Sequence, residues 1–326
     1  MILIVNDYTS LKGGAGEIAE SEYLLLKQEK EVKLLIAVKN KRNFVRIFLL
    51  NILCLTYSLI AKKIIVHTWS YFPVVSLISK WRNVYFVVHD YLTVCPSKSL
   101  YDFQENKPCS IKGYSSACLS KNCGYSITRK RYSKVTRPRL KTVRLLSDIK
   151  QELFVEAKYI SILPNVDTFP SLRKNQPKSI DCIFIGRYTL DKGFDRFLSL
   201  AGNNETMKFV SLGNGPISVI GNVENEGWIN KKEEILSFLS KSRLLIYPSR
   251  QIDADPIIVR QALKLKIPVL IDSNNALAKL VEEMCGVNFV IRDWNNVDLS
   301  ELVKLEWDFQ KSTFPDIKDL MNLYGV

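Results

Sequence analysis

Short apolar runs rich in Val, Ile and Leu alternate along this chain with longer stretches of helical periodicity. The chain opens on such a run, ILIVND, followed by a glycine loop and a helical pattern over Glu17 to Lys27. VKLLIAV predicts a second strand, and the apolar stretch Val45 to Ala61 a helix. KIIVHTW and VYFVVHDY read as further strands, each ending in a histidine, and TVRLLS and YISILPNVD close the first half. The polar, proline-bearing segment TFPSLRKNQPKSI then reads as a linker. Beyond it the rhythm restarts with IDCIFIGRY, a helix over Phe194 to Ala201, KFVSLGNG, a helix within GWINKKEEILSFLSKS, and RLLIYPS. Short β-branched strands that alternate with helices imply right-handed βαβ units and parallel sheets. The expectation is an α/β chain of two Rossmann-like domains facing a cleft. Residues 1–167 form the first, with an insertion over about 95–139, and 168–180 the linker. Residues 181–326 form the second, with a last helix able to pack back on the first domain. No repeat or low-complexity tract interrupts this order.

Composition narrows the partners more than the fold. Of 326 residues, 47% are hydrophobic and 24% charged, an ordinary globular balance that excludes a disordered chain. Lys and Arg number 46 against 33 Asp and Glu, a net charge of +13. Such an excess suits phosphate-bearing substrates, anionic lipid headgroups or nucleic acid. Seven cysteines, and an opening that reads as a strand rather than a secretory leader, lead us to expect a reducing cytoplasm. The Val45–Ala61 segment carries Arg46 and Asn51 and falls short of the ~20 residues a bilayer span needs, so it reads as a buried or half-buried helix.

The candidate chemistry clusters where strands end. KGGAGEIA follows the first strand, and Gly14 to Ala19 satisfy the dinucleotide pattern G-x-G-x-x-A. The loop starts too far beyond its strand for that tight turn, so a structural turn or a phosphate contact fits better than NAD. In FIGRYTLDKGF, Arg187 stands at a strand end and Lys192 five positions on, two cations able to neutralise a diphosphate. LGNGP puts Gly213 at another strand end. In YPSRQIDADPIIVRQ, Asp255 suits a helix N-cap and Pro256 the first helical position. The amides of Ile257 and Ile258 would then be free at the positive end of a helix, with Asp253 outside it and Gln261 further along. Such a row fits a sugar, its phosphates and a ribose. The Asp-x-Asp pair also matches a metal motif of other sugar transferases. There it follows the first nucleotide-binding unit, however, and here it lies after two complete alternating runs, so no metal is expected.

Taken together, KGGAG, HDY, PNVD, GRYTLDKG, LGNGP and PSRQIDADPIIVRQALKLKIPVLID make the chain resemble the family-4 retaining glycosyltransferases of the two-Rossmann GT-B fold, over nearly its whole length. The resemblance implies that Arg187 and Lys192 bind the donor diphosphate. Gly14 and Gly16 would lie near donor and acceptor, with Gly213 and the Ile257 and Ile258 amides on the donor. His89 would sit by the transferred sugar, orienting it rather than acting as base, and Gly13 would lie on the acceptor side. His67 is read as a core or edge histidine, or as one lining the acceptor side. The family's Glu-x7-Glu positions hold Asp253 and Gln261, a shorter acid for the sugar and an uncharged side chain for the ribose. Pro256 replaces a usual glycine and removes one donor. The implied reaction needs no cofactor and no metal. It uses a nucleotide-sugar donor and a lipid-linked glycan acceptor, at the inner face of a membrane and in surface polysaccharide synthesis.

Cys95, Cys109, Cys118 and Cys123 share the insertion but contain no C-x-x-C pair, so ordinary small residues are favoured over a zinc site. The basic run Thr128 to Arg144 suits an anionic membrane surface or a diphosphate-linked lipid, with a solvated loop as its plainer explanation. No nucleic-acid motif accompanies it, so nucleic acid is not an expected partner. Two other functions remain open: a GT-B-like nucleotide-sugar epimerase, and a basic nucleotide- or RNA-binding protein without catalysis.

Overall fold

The structure is a computed structural model that describes residues 1–9, 14–38, 43–91, 95, 100–109, 139–147, 157–166, 176–304 and 314–326. Its contacts divide the chain into two compact units. Unit 1 comprises Met1–Lys98, Ile111–Thr168 and Phe314–Val326, and unit 2 comprises Ser99–Ser110 and Phe169–Thr313.

Unit 1 is built on one parallel sheet. Its strands are β1 (Ile2–Tyr8), β2 (Val32–Val38), β3 (Lys63–Val66), β4 (Val84–Val88), β7 (Thr142–Leu145) and β8 (Tyr159–Ile162), in the order β2-β1-β3-β4-β7-β8. Helices α1 (Gly14–Leu26), α2 (Phe44–Ile60) and α3 (Val74–Trp81) make the crossovers. The central strands are covered on both faces, which is why ILIV, IIV and VYFVV read as unbroken apolar runs rather than as alternations. Leu3, Val5, Val66, Phe72 and Phe86 form the core between this sheet and the α2–α3 pair.

Unit 2 repeats the plan. Strands β9 (Ile180–Ile185), β10 (Phe209–Leu212), β11 (Val223–Gly227), β12 (Ser242–Tyr247), β13 (Val269–Asp272) and β14 (Val290–Ile291) lie in the order β11-β10-β9-β12-β13-β14, all parallel. Helices α4 (Phe194–Gly202), α5 (Lys232–Ser240), α6 (Ile257–Lys264), α7 (Ala278–Cys285) and the short α8 (Leu299–Leu302) flank them. The α/β class of two parallel sheets flanked by helices is the one the strand pattern calls for.

The division of the chain differs from a single cut at the linker. The small antiparallel hairpin β5 (Tyr101–Asp102) and β6 (Lys107–Pro108), part of the insertion placed in the first domain by sequence, belongs to unit 2. Helix α9 (Ile317–Tyr324), at the end of the chain, belongs to unit 1. A capping box of Asp316 and Asp319 starts α9, and Gly325 in a left-handed conformation ends it.

Candidate functional site

In open α/β sheets, ligands settle beyond the carboxyl ends of the strands, where the strand order reverses. In unit 2 that point lies between β9 and β12. The loop after β9 carries Arg187 to Gly193, and the loop after β12 carries Pro248 to Pro256. Backbone bonds stitch the two loops together: the amides of Arg250 and Gln251 donate to the Asp191 carbonyl at 2.9 and 3.1 Å. Gly193 makes this closeness possible. It has φ of 71°, and a Cβ there would stand 2.0 Å from the Pro248 carbonyl oxygen. Gly213, at φ of 154°, likewise lies against the Gly186 carbonyl, where a Cβ would meet the oxygen at 1.8 Å. Its first role is therefore to let strand ends approach.

The charged residues of this edge gather around Tyr247. Lys192 Nζ donates to both oxygens of Asp253, at 2.8 and 3.0 Å, and lies 5.9 Å from the centre of the Tyr247 ring. The same carboxylate accepts from Tyr247 Oη at 2.6 Å, from Ser249 Oγ at 2.9 Å and from the Gln251 side-chain amide. Burial works against ionisation of Asp253, but the Lys192 charge and these hydrogen bonds together carry its pKa below the ordinary value. Burial, then the Asp253 charge, pushes the Tyr247 phenol well above its usual range. Arg187 projects outward, 56% exposed, and pairs with Asp191 at 3.0 Å. The sequence brings Arg187, Lys192 and Asp253 into one cluster, as expected, yet the Asp253 carboxylate is engaged by four donors of its own unit. Its visible work is to hold Lys192.

Helix α6 starts one residue later than the sequence suggests. Pro256, with ψ of 114°, is its N-cap and Ile257 its first residue, and no side chain caps it. Asp255, expected as the cap, instead pairs with Arg260 Nε from the second turn of the helix. A buried guanidinium without a counter-charge costs more than a missing cap, so the acid goes to Arg260. As the first two helical residues, Ile257 and Ile258 have amides without partners inside the helix, at its positive end. Gln261 sits deeper, only 4% exposed.

Unit 1 has its own reversal point, between β1 and β3. A hollow of about 130 Å³ opens there, lined among others by Asp7, Ala15, His67, Trp69, His89 and Asp90. The Asp7 carboxylate accepts the amides of Ser70 and Tyr71 at 2.7 and 2.9 Å and so shapes the rim. Gly14 and Gly16 do not lie in a loop, as the sequence suggested. They fall in the first turn of α1, with Gly14 exposed, Gly16 buried and Ala15 between them on the hollow. Gly13 lies outside the described residues.

The two histidines form one unit. His67 Nδ1 and His89 Nε2 are 2.7 Å apart, with the rings stacked at 5.0 Å. Behind them, His67 Nε2 faces Glu22 at 3.4 Å, and Glu22 is bound to Arg144, whose Nη1 also donates to Tyr324 Oη at 2.8 Å. Glu22, Arg144 and Tyr324 are fully buried. Burial opposes the Glu22 charge, but the adjacent Arg144, then His67, outweighs it and brings the carboxyl down to about 2. Burial, then the neighbouring His67, holds His89 well below the usual histidine range, so His89 meets the hollow as a neutral ring. This suits a group that orients a hydroxyl. Glu22 and Tyr324 escaped the sequence reading; Arg144, in the middle of the apolar strand TVRLLS, was the one visible signal that a buried acid must lie near.

Among the described residues no group of His, Cys, Asp or Glu is arranged to hold a metal ion. Cys95 is buried and Cys109 half-buried, both as free thiols, while Cys118 and Cys123 lie outside the described residues. So do residues 128–138 of the basic run.

With this geometry in view, the chain can be set beside known proteins. No protein-family model and no curated protein sequence matches it. Solved structures do. The chain is similar to WaaG, a glycosyltransferase involved in lipopolysaccharide biosynthesis, at TM-score 0.60 and 13% identity over 93% of this chain and 89% of that one. It is similar to Anabaena Alr3699/HepE in complex with UDP and glucose, at TM-score 0.59 and 15% identity over 93% and 88%. It is similar as well to an α-glucosyltransferase in complex with UDP and a 13-mer DNA containing an HMU base, at TM-score 0.53 and 12% identity over 93% and 90%. At such identities the likeness shows the fold alone, and that fold is GT-B.

Proposed function

We propose that this chain is a retaining glycosyltransferase that moves a sugar from a nucleotide-sugar donor, UDP-linked in the first instance, to a lipid-linked glycan acceptor in surface polysaccharide synthesis. The observation that carries the reading is the convergence of Arg187, Lys192 and the uncapped amino end of α6 at the reversal point of the unit 2 sheet. Departure of a nucleoside diphosphate requires positive charge fixed in advance, and preorganised donors of this kind are the largest expected contribution to the rate. Asp191 and Asp253 hold the two cations in place. An incoming diphosphate takes the donors these pairs leave free, and Asp253 remains the residue that positions Lys192. These groups supply the counter-charge, and the reading needs no metal.

In the unit 1 hollow, the reading gives neutral His89 the task of orienting a sugar hydroxyl, with His67 and Glu22 fixing its ring. The leaving phosphate oxygen helps to remove the acceptor proton, and the anomeric configuration is retained. The UDP bound to HepE and to the α-glucosyltransferase, and the lipopolysaccharide role of WaaG, favour this donor and this acceptor class. Attachment to the inner membrane face belongs to the same proposal.

The test is a thermal-shift screen of UDP, GDP and ADP sugars, followed by turnover on a lipid-diphosphate acceptor with the product anomer read by NMR. A UDP sugar should stabilise the protein and yield an α-linked product from an α-linked donor. An inverted anomer would refute retention, conversion to an epimeric nucleotide sugar would favour the epimerase, and no response to any nucleotide sugar would remove the reading.

A further inference from the structure

Helix α2 is apolar on both sides: Ile47, Leu50, Cys54 and Leu55 pack on the core, and a second apolar face is left in water. An ordinary surface helix turns its polar residues to water and its apolar stripe to the core. Here Phe44, Val45, Phe48, Leu49, Ile52 and Ile60 are exposed, Phe44 and Phe48 to 78% and 66%. They recur at the i, i+4, i+8 spacing of a single outward face. Arg46 and Asn51 point the other way. Arg46 donates to the carbonyls of Ile36 and Ala37 at the end of β2. Asn51 donates to the Tyr71 carbonyl at 2.9 Å and accepts the Val74 amide at 3.4 Å. Below α2, Arg82 donates to the carbonyls of Ser58 and Ala61 and closes the helix end. These bonds pin the rotation of the helix about its axis, so the apolar face is a fixed feature of the fold. Trp81, on α3 beside it, is 46% exposed.

Charge names the occupant. Between Glu31 and Asp90 the sequence runs 58 residues without one acid and with nine Lys and Arg. Lys62 and Lys80 stand exposed at the ends of α2 and α3. A second copy of the chain would bring the same cations against these and would be repelled. A bilayer with anionic headgroups meets both requirements, acyl chains for the phenylalanines and phosphates for the rim. Among the described residues no helix is long and apolar enough to cross a membrane. At ~1.5 Å per residue, α2's 17 residues give a rod of about 25 Å, a length suited to lying in the interfacial plane.

We infer that the outward face of α2 is a docking surface for an anionic lipid bilayer, into which Phe44, Phe48 and Ile52 insert while Lys62 and Lys80 bind headgroups. This deepens the membrane attachment proposed above, and rests on observations independent of the sugar chemistry. It also differs in kind from attachment by the basic residues at 128–141, which would be electrostatic alone; Arg144, the last of the basic run in the sequence, is buried on Glu22 and takes no part.

The experiment is co-flotation of the full chain with vesicles of phosphatidylcholine mixed with phosphatidylglycerol, and with vesicles of phosphatidylcholine alone. Wild type should float with the mixed vesicles and much less with the neutral ones. The double variant Phe48→Ser, Ile52→Ser should lose roughly tenfold or more in partitioning. Both side chains face solvent, so its circular dichroism and its thermal shift with UDP should be unchanged. Equal flotation of the double variant, or loss only when the basic residues at 128–141 are neutralised, would overturn the inference. So would equal flotation on neutral vesicles, or a concentration-dependent dimer that the double variant abolishes. Vesicle binding without any response to nucleotide sugars would leave the docking surface standing and remove the transferase reading.

Discussion

Glu22 shows how a single buried side chain governs a site from behind. With no exposure it holds Arg144 on one side and faces His67 on the other, and through His67 it steadies the ring that meets the hollow. Its carboxyl titrates near 4.5 in an unfolded chain and at about 2 in the fold, so the unfolded chain takes up the proton first. The stability it contributes is complete above pH 4.5 and is lost as the pH falls toward 2. That leg should be worth about 3 kcal/mol. Urea unfolding across this window should show the loss, and Glu22→Gln should flatten the curve while lowering the plateau, because Arg144 is left without its counter-charge. A wild-type stability that stays level through the window would contradict the buried pair. Sequence alone gave little warning of this network. Arg144 lies 122 positions from Glu22 and 180 from Tyr324, and no local periodicity ties residues so far apart. Asp255 failed for a related reason: as a neighbour of Pro256 it looked like a cap, but Arg260 one turn on claims its carboxylate.

At the scale of elements, the loops after β9 and β12 matter more than the strands that launch them. Gly193 lets one loop lie against the other, in a left-handed conformation with no room for a side chain. Gly193→Ala should therefore destabilise unit 2 by about 2 kcal/mol or more, from backbone strain and the clash with the Pro248 carbonyl. It should weaken nucleotide binding as well, since Lys192 and Asp253 come from the two loops that would be pushed apart. A variant with unchanged Tm and unchanged binding would show that the loops are not so tightly joined. Most elements could be read in advance, because covered parallel strands and amphipathic helices carry strong patterns: Phe194 to Ala201 became α4 and the helix after Pro256 became α6. The rotation of α2 could not. A segment that is apolar all round does not say which face meets the core; the bonds of Arg46 and Asn51 to distant carbonyls decide it. The hairpin of Tyr101 to Pro108 groups with unit 2, and such membership depends on contacts that the order of the chain does not reveal.

For the molecule as a whole, the two units offer different chemistry. Unit 1 presents a neutral histidine in a small hollow, over a buried ion pair. Unit 2 presents a helix end and two cations, each cation held ready by an acid of its loops. The net charge of +13, which by itself fitted nucleic acid, lipid or phosphate equally well, gains meaning once Arg187 and Lys192 stand at a sheet edge and the acid-free segment surrounds α2. The most direct test of the account is calorimetric titration of UDP-glucose into wild type and Lys192→Ala. A charge-assisted hydrogen bond to phosphate is worth about 1.5–3 kcal/mol, so the variant should bind roughly tenfold to a hundredfold more weakly with its fold intact. Equal affinity in the two proteins, or no binding by wild type, would contradict the diphosphate clamp.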